Sequence, residues 1–214
     1  MAEPARVSTA DDALAKARRR QIFLAACRVL ARKSFHEATV KEMALEAGLA
    51  AGSIYVYLQS KDEILLLLAE SMVAELVEAL PEIKQAAAGD PRRELLGILR
   101  GALDVIDRYR EAFAVLNHEV RYLERRPEYR ATLKEIVGPY REALAEPLER
   151  GKRMGLIRFA SIASVVEALH MLCSGWSCGG AFMAKTDKET YWREIEGLIN
   201  GSFFVPEADS PGNG

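Results

Sequence analysis

Histidine, cysteine and tryptophan are scarce in this 214-residue chain, with three, three and two copies. Three histidines scattered among 31 acidic residues form no clustered ligand set and no evident acid–base pair. Nucleophile elbows, Walker loops and dinucleotide glycine patterns are missing as well, so neither catalysis nor a bound metal or cofactor is expected. The cysteines Cys27, Cys173 and Cys178 are odd in number and lack zinc-type spacing, and no secretory-type segment precedes them. Reduced thiols in a cytoplasmic setting are therefore expected, with Cys27 as core filler and Cys173 and Cys178 packing or lining a pocket. Alternating strand runs are also lacking, and helical spacing between turn signals implies an all-α fold.

What the chain does have is apolar bulk and an uneven charge. Half of its residues are hydrophobic, enough for one large or two small domains, and the net charge is −2. That value excludes a broadly basic coat, yet residues 1–60 carry nine Lys/Arg against six Asp/Glu, while the remainder carries twenty against twenty-five. The basic excess, densest at Lys16, Arg18, Arg19 and Arg20, accompanies the most informative stretch, residues 39–61. Thr39 and Glu42 fit a capping box, which predicts a short helix to Ala47. Gly48 supplies a left-handed stop and a tight turn. A second helix is predicted over Ala51–Leu58, with Ile54 and Leu58 inward and Ser53, Tyr55 and Tyr57 outward. This is the pattern of a helix-turn-helix.

Across residues 19–65 the agreement widens to Arg20-Gln21-Ile22, Ala25-Ala26, Phe35, Thr39-Val40, Met43-Ala44, Ala47-Gly48-Leu49, Gly52-Ser53-Ile54-Tyr55, Tyr57-Leu58 and Ser60-Lys61-Asp62-Glu63-Ile64-Leu65. The segment resembles the N-terminal DNA-binding domain of the TetR (tetracycline repressor) family of bacterial transcription regulators. That resemblance implies a three-helix domain in which Thr39, Ser53, Tyr55, Tyr57 and Lys61 clamp phosphates while Ala50, Ala51 and Gly52 face the groove of double-stranded operator DNA. Two departures stand out. Ser34 occupies a position where the family usually has Gly, which predicts a positive φ there. Ala50 replaces the usual Ser or Thr, removing an N-cap worth about 1 kcal/mol. With little polar reach left, direct readout should be modest and DNA shape should contribute more.

The remaining sequence sets out the organisation. Residues 1–12 and 206–214 read as flexible tails, 13–60 as the helix-turn-helix domain, and 61–205 as a C-terminal helical domain for effector binding and dimerisation. Ser60 and Glu63 predict a capping box opening a long helix, with Ile64, Leu65, Leu68, Met72, Leu76 and Leu80 inward and Pro81 kinking it or starting a fresh turn. Pro139 and Pro147 should bend a later helix. Ser161–Ala184 contains one charged residue, Glu167, but its serines, His170 and glycines favour a buried helix over a membrane span. With Tyr191, Trp192, Ile195, Leu198, Ile199, Ser202 and Phe203 it makes a dimer surface, matching the four-helix bundle that the resemblance implies for a homodimer.

Tyr109, Phe113, Asn117, Arg121, Tyr140, His170, Cys173 and Trp176 are aromatic or polar residues on otherwise apolar helices, the mixture found in small-molecule cavities. His118 and His170 are placed to orient a polar effector. The expected function is a ligand-responsive repressor that binds a palindromic operator as a dimer and is released by a small lipophilic effector, an acidic group being one option. The alternative is a dimeric small-molecule binding module with weakened DNA recognition.

Overall fold

A computed structural model describes residues 9–177 and 186–204, and all regular structure within them is helical. Eight α-helices follow one another among the described residues: α1 (Thr9–Leu30), α2 (Val40–Glu46), α3 (Glu63–Ala87), α4 (Pro91–Arg108), α5 (Arg110–Glu124), α6 (Pro127–Arg153), α7 (Ile162–Gly175) and α8 (Lys188–Leu198). A 3-10 turn, Ser53–Val56, lies between α2 and α3, and a π turn, Ile199–Phe203, continues α8. The expected tails fall largely outside the described residues, as does Cys178.

Helix starts follow local chemistry. Thr39 Oγ1 accepts the Glu42 N–H at 3.1 Å and the Glu42 carboxylate accepts the Thr39 N–H at 2.9 Å, completing the capping box of α2. Asp90 caps α4 ahead of Pro91, whose fixed φ and missing N–H suit a first turn. Asp187 caps α8 by accepting from the Thr190 N–H. At α3 the predicted box is half realised: Ser60 Oγ accepts from the Glu63 N–H, but the Glu63 carboxylate accepts from the Gln59 N–H, so the helix opens at Glu63. Pro81 lies inside α3, and Pro139 and Pro147 lie inside α6, and neither helix is divided there. Ser34 does not take a positive φ. Its hydroxyl and N–H bond to the Glu37 carboxylate instead, and among the described residues Ala88, at φ +50°, is the non-glycine residue in the left-handed region.

Packing divides the chain into two compact units, Met1–Ser71 with Glu111–Leu133, and Met72–Arg110 with Lys134–Gly214. The sequence boundary at 60/61 thus differs from the packing boundary, because Ile64, Leu65 and Leu68 are sealed in the first unit and α5 contributes Phe113, Leu116 and Leu123 to it. In that unit α2 packs on α1 through Val40, Met43 and Ala44, against a core containing Ile22, Phe23, Ala25 and Ala26. Each large side chain so buried contributes about 1.5–3 kcal/mol.

In the second unit α4 packs against α7 and α8. Gly97 permits close approach of α3 to α4: a Cβ there would lie 2.7 Å from Ile83 Cγ2. Of the buried helix expected over Ser161–Ala184, residues 178–184 lie outside the described ones, and the described part is buried on one face only. Helix α7 ends at Gly175, and its Ala163, Ser164, Glu167, Ala168 and Met171 are exposed within the single chain, while Val165, Val166, Leu169 and Cys173 are buried. No helix among the described residues is long and apolar enough to cross a membrane.

Candidate functional site

Gly48, at φ +67°, turns the chain after α2, and the segment 50–53 emerges into solvent with Ala50, Ala51, Gly52 and Ser53 all exposed. Ile54 and Leu58, 0% and 1% exposed, pin this segment to the first unit's core. The α-helix expected over Ala51–Leu58 is replaced by the 3-10 turn Ser53–Val56. The reason is local. Ala50 offers no capping oxygen, Gly52 begins the turn without a side-chain cap, and Gly costs about 1 kcal/mol in a helix interior. Its backbone bonds run Ser53 N–H to Ala50 O, Tyr55 N–H to Gly52 O and Tyr57 N–H to Ile54 O. A tighter turn still keeps Ile54 inward and Tyr55, 56% exposed, outward.

Two other expected phosphate ligands already have partners within this unit. Thr39 Oγ1 is engaged in the cap, donating to the Glu42 carboxylate. Lys61 is half-buried, with its Nζ donating to His36 O at 3.1 Å and lying 4.7 Å from the centre of the Phe35 ring. One of its three ammonium protons is thereby used, and the remaining two can still donate. Tyr57 is half-buried, and its carbonyl accepts from Arg19 Nη1. Arg18 donates to Gln21, Arg19 also pairs with Glu70, and Arg20 lies over Phe23, so the N-terminal basic cluster is partly committed to the fold.

Beside the turn, salt links join α2 to α1 and to the residues just after it: Arg28 and Arg32 to Glu46 at 2.6 and 2.7 Å, and Lys33 to Glu42. The Lys33 ammonium, then the Thr39 N–H and hydroxyl, pull the Glu42 pKa down to about 2. Sequence reasoning overlooked Leu45 and Val56, 78% and 79% exposed. For Leu45 the signal was available, since inward Val40, Met43, Ala44 and Ala47 leave Lys41 and Leu45 on the outer face of α2.

The eight residues expected to line one pocket divide between the units. Phe113 (buried), Asn117 (half-buried) and Arg121 (exposed) are in the first; Tyr109, Tyr140, His170, Cys173 and Trp176 are in the second. His118, an expected effector ligand, has its side chain 82% exposed and 3.0 Å from the Glu119 carboxylate. In the second unit Tyr109 donates its hydroxyl to Glu75 at 2.9 Å, and Trp176 Nε1 donates to Asp107 at 3.0 Å beneath the Arg110 guanidinium, 4.2 Å from its ring. Arg110, which also donates to Trp176 O, was missed because a charge at the start of a helix looks solvated. Tyr140 and His170 meet edge to face, ring centroids 5.8 Å apart. Burial pushes the thiols of Cys27 and Cys173 up to about 12, so both stay protonated at neutral pH.

Residues 22–68 match the family described as bacterial regulatory proteins, tetR family. The fatty acid metabolism regulator protein of Bacillus subtilis (strain 168) is 34% identical over 77 residues, or 36% of this chain and 40% of that one. The chain therefore spans less than half the length of that relative. The HTH-type transcriptional repressor KstR2 of Rhodococcus jostii (strain RHA1) is 27% identical over 150 residues, 70% of this chain and 72% of that one. A crystal structure of the transcriptional regulator FadR from Bacillus subtilis, in complex with stearoyl-CoA, superposes with a TM-score of 0.70 at 22% identity, covering 84% of this chain and 96% of that one. At that identity the likeness speaks for the fold.

Proposed function

We propose that the chain, whose residues 22–68 match the tetR family of bacterial regulatory proteins, is a ligand-responsive transcriptional regulator that binds a palindromic DNA operator as a homodimer. The observation that carries this reading is the solvent-facing segment Ala50–Tyr55 held from beneath by Ile54 and Leu58. Ala50, Ala51 and Gly52 face the major groove, where small apolar groups meet thymine methyls, and Ser53 supplies polar reach. Tyr55 and Tyr57 hydroxyls, the free donors of Lys61 and the Thr39 position hold phosphates. Two copies are needed so that two such turns enter successive grooves about 34–36 Å apart. The exposed face of α7, with exposed Leu198 on α8, is the surface through which the copies pair.

A small lipophilic effector releases the operator by favouring a dimer geometry that no longer fits it. The relative crystallised with stearoyl-CoA supports an effector of apolar character. The test is a salt titration of binding to an operator duplex and to a scrambled duplex, followed by fluorescence anisotropy. Affinity that falls steeply with salt, with a preference for the operator retained, supports the reading. A folded dimer with no salt-dependent duplex binding contradicts it and favours a small-molecule binding module.

A further inference from the structure

In the second unit the tyrosine hydroxyls of Tyr109 and Tyr191 are spent on the Glu75 carboxylate and the Leu172 carbonyl. Tyr140 on α6 differs. Its side chain is 7% exposed, packed against His170, and its hydroxyl has no hydrogen-bond partner among the described residues. A largely buried phenol whose hydroxyl finds no protein partner keeps a donor available to an incoming acceptor. Nor is it sealed in. Among the described residues the fully enclosed side-chain polar atoms without partners are Glu94 Oε1 and Arg150 Nε, and the Tyr140 oxygen is not among them.

Beside it, His170 Nε2 makes one long contact with Ser174 Oγ, at 3.4 Å, which leaves its other ring nitrogen open among the described residues. Burial lowers the His170 pKa below the ordinary imidazole value, outweighing the nearby Glu167, so the ring is neutral at neutral pH. Burial likewise raises the Tyr140 pKa and keeps the phenol protonated as a donor. Cys173 is a protonated thiol directed at Leu99 O. Arg141, next along α6, is paired with Glu167, and Arg110 is stacked on Trp176. Tyr140, His170 and Cys173 are therefore all uncharged, and Arg141, the cation acting on His170, is already paired with Glu167.

We propose that Tyr140 and His170 form the polar end of the effector site and select an apolar molecule carrying a neutral oxygen, a ketone or an alcohol, over a carboxylate. This rests on the reading of the second unit as an effector domain. An anion brought here would lose its hydration without gaining a free cation, whereas a carbonyl or hydroxyl oxygen accepts from the Tyr140 hydroxyl at little cost.

Isothermal titration of the full chain with decan-2-one, decan-1-ol, decanoate and decanoyl-CoA tests the selection, alongside Tyr140→Phe and Arg110→Ala. The ketone and the alcohol should bind the unaltered chain at least about 10-fold more tightly than decanoate, and Tyr140→Phe should weaken the ketone by about 10-fold, the loss of one buried hydrogen bond. Tighter binding of decanoate or decanoyl-CoA, above all if Arg110→Ala abolishes it, overturns the proposal. So does ketone affinity unchanged in Tyr140→Phe, or no binding by either neutral probe. Operator binding is measured in parallel without probe. Tyr140-dependent ketone binding with no DNA binding sinks the regulator reading and leaves this one standing; DNA binding with Tyr140-independent probe affinity does the reverse.

Discussion

In the first unit the caps and loop bonds beside the exposed turn are local, Thr39 with Glu42, Ser34 with Glu37 and Gln59 with Glu63, while the long basic side chains Arg28, Arg32 and Lys61 reach Glu46 and His36 O. In the second, polar side chains pair across helices far apart in the chain: Trp176 with Asp107, Lys188 with Asp104 and Arg150 with Glu94. The DNA-facing turn thus depends on short-range chemistry and a few buried anchors, and its reading surface is left free. In the second unit a polar atom's freedom depends on what a distant helix brings to it, and Tyr140 is conspicuous because, among the described residues, no hydrogen-bond partner reaches its hydroxyl.

The largest expected effect comes from removing an anchor. Ile54→Ala should cost about 2–5 kcal/mol in urea unfolding, because a fully buried side chain is deleted under the turn. Operator binding should fall with it even under conditions where the variant is folded. A variant that loses stability yet binds operator normally would uncouple the anchor from the reading surface.

Next, Tyr55→Phe should weaken binding to operator and scrambled duplex alike by about 2 kcal/mol, as expected for a hydroxyl on a phosphate. Substitutions at Ala51 should instead change which sequences are preferred. A Tyr55→Phe effect confined to one sequence would move this residue from the backbone to the bases.

Ala50→Ser bears on why the turn is 3-10. A hydroxyl at the N-cap should stabilise the chain by about 1 kcal/mol and extend the turn toward an α-helix, raising helical ellipticity. No gain would mean that Gly52 alone sets the geometry. The smallest effect belongs to Glu42. Its folded-state pKa of about 2 lies below the ordinary 4.5, so its contribution is complete above pH 4.5 and is lost as pH falls toward 2. Glu42→Gln should lower Tm at pH 7, and the difference from the parent should vanish across that window; a difference that persisted at pH 2 would refute the ionic origin of the cap's strength.

Legibility in the sequence follows the same division. Thr39, Glu42 and Gly48 declare their roles within four residues, because caps and left-handed stops are local. The α-helix predicted over Ala51–Leu58 is longer than the Ser53–Val56 turn found, since inward Ile54 and Leu58 satisfy a 3-10 turn as well as an α-helix and the missing cap at Ala50 changes the geometry as well as the energy. Lys61 is legible as a phosphate ligand through the family resemblance but not as a donor to His36 O, a partner 25 residues earlier. In the second unit the sequence pattern points to Tyr140, Cys173 and Trp176 as pocket-lining residues. It could not separate Trp176, whose indole N–H is satisfied by Asp107, from Tyr140, whose hydroxyl is open, nor foresee that Arg121 faces solvent.

The central claim is that the segment Ala50–Tyr55 reads DNA as half of a two-fold pair. Selection of bound fragments from random-sequence duplexes by the purified protein, with a salt titration of the winner, tests it most directly. The account predicts enrichment of a palindrome whose two half-sites lie about one helical turn, 34–36 Å, apart and whose affinity drops steeply with salt. A folded dimer that enriches no sequence would contradict it.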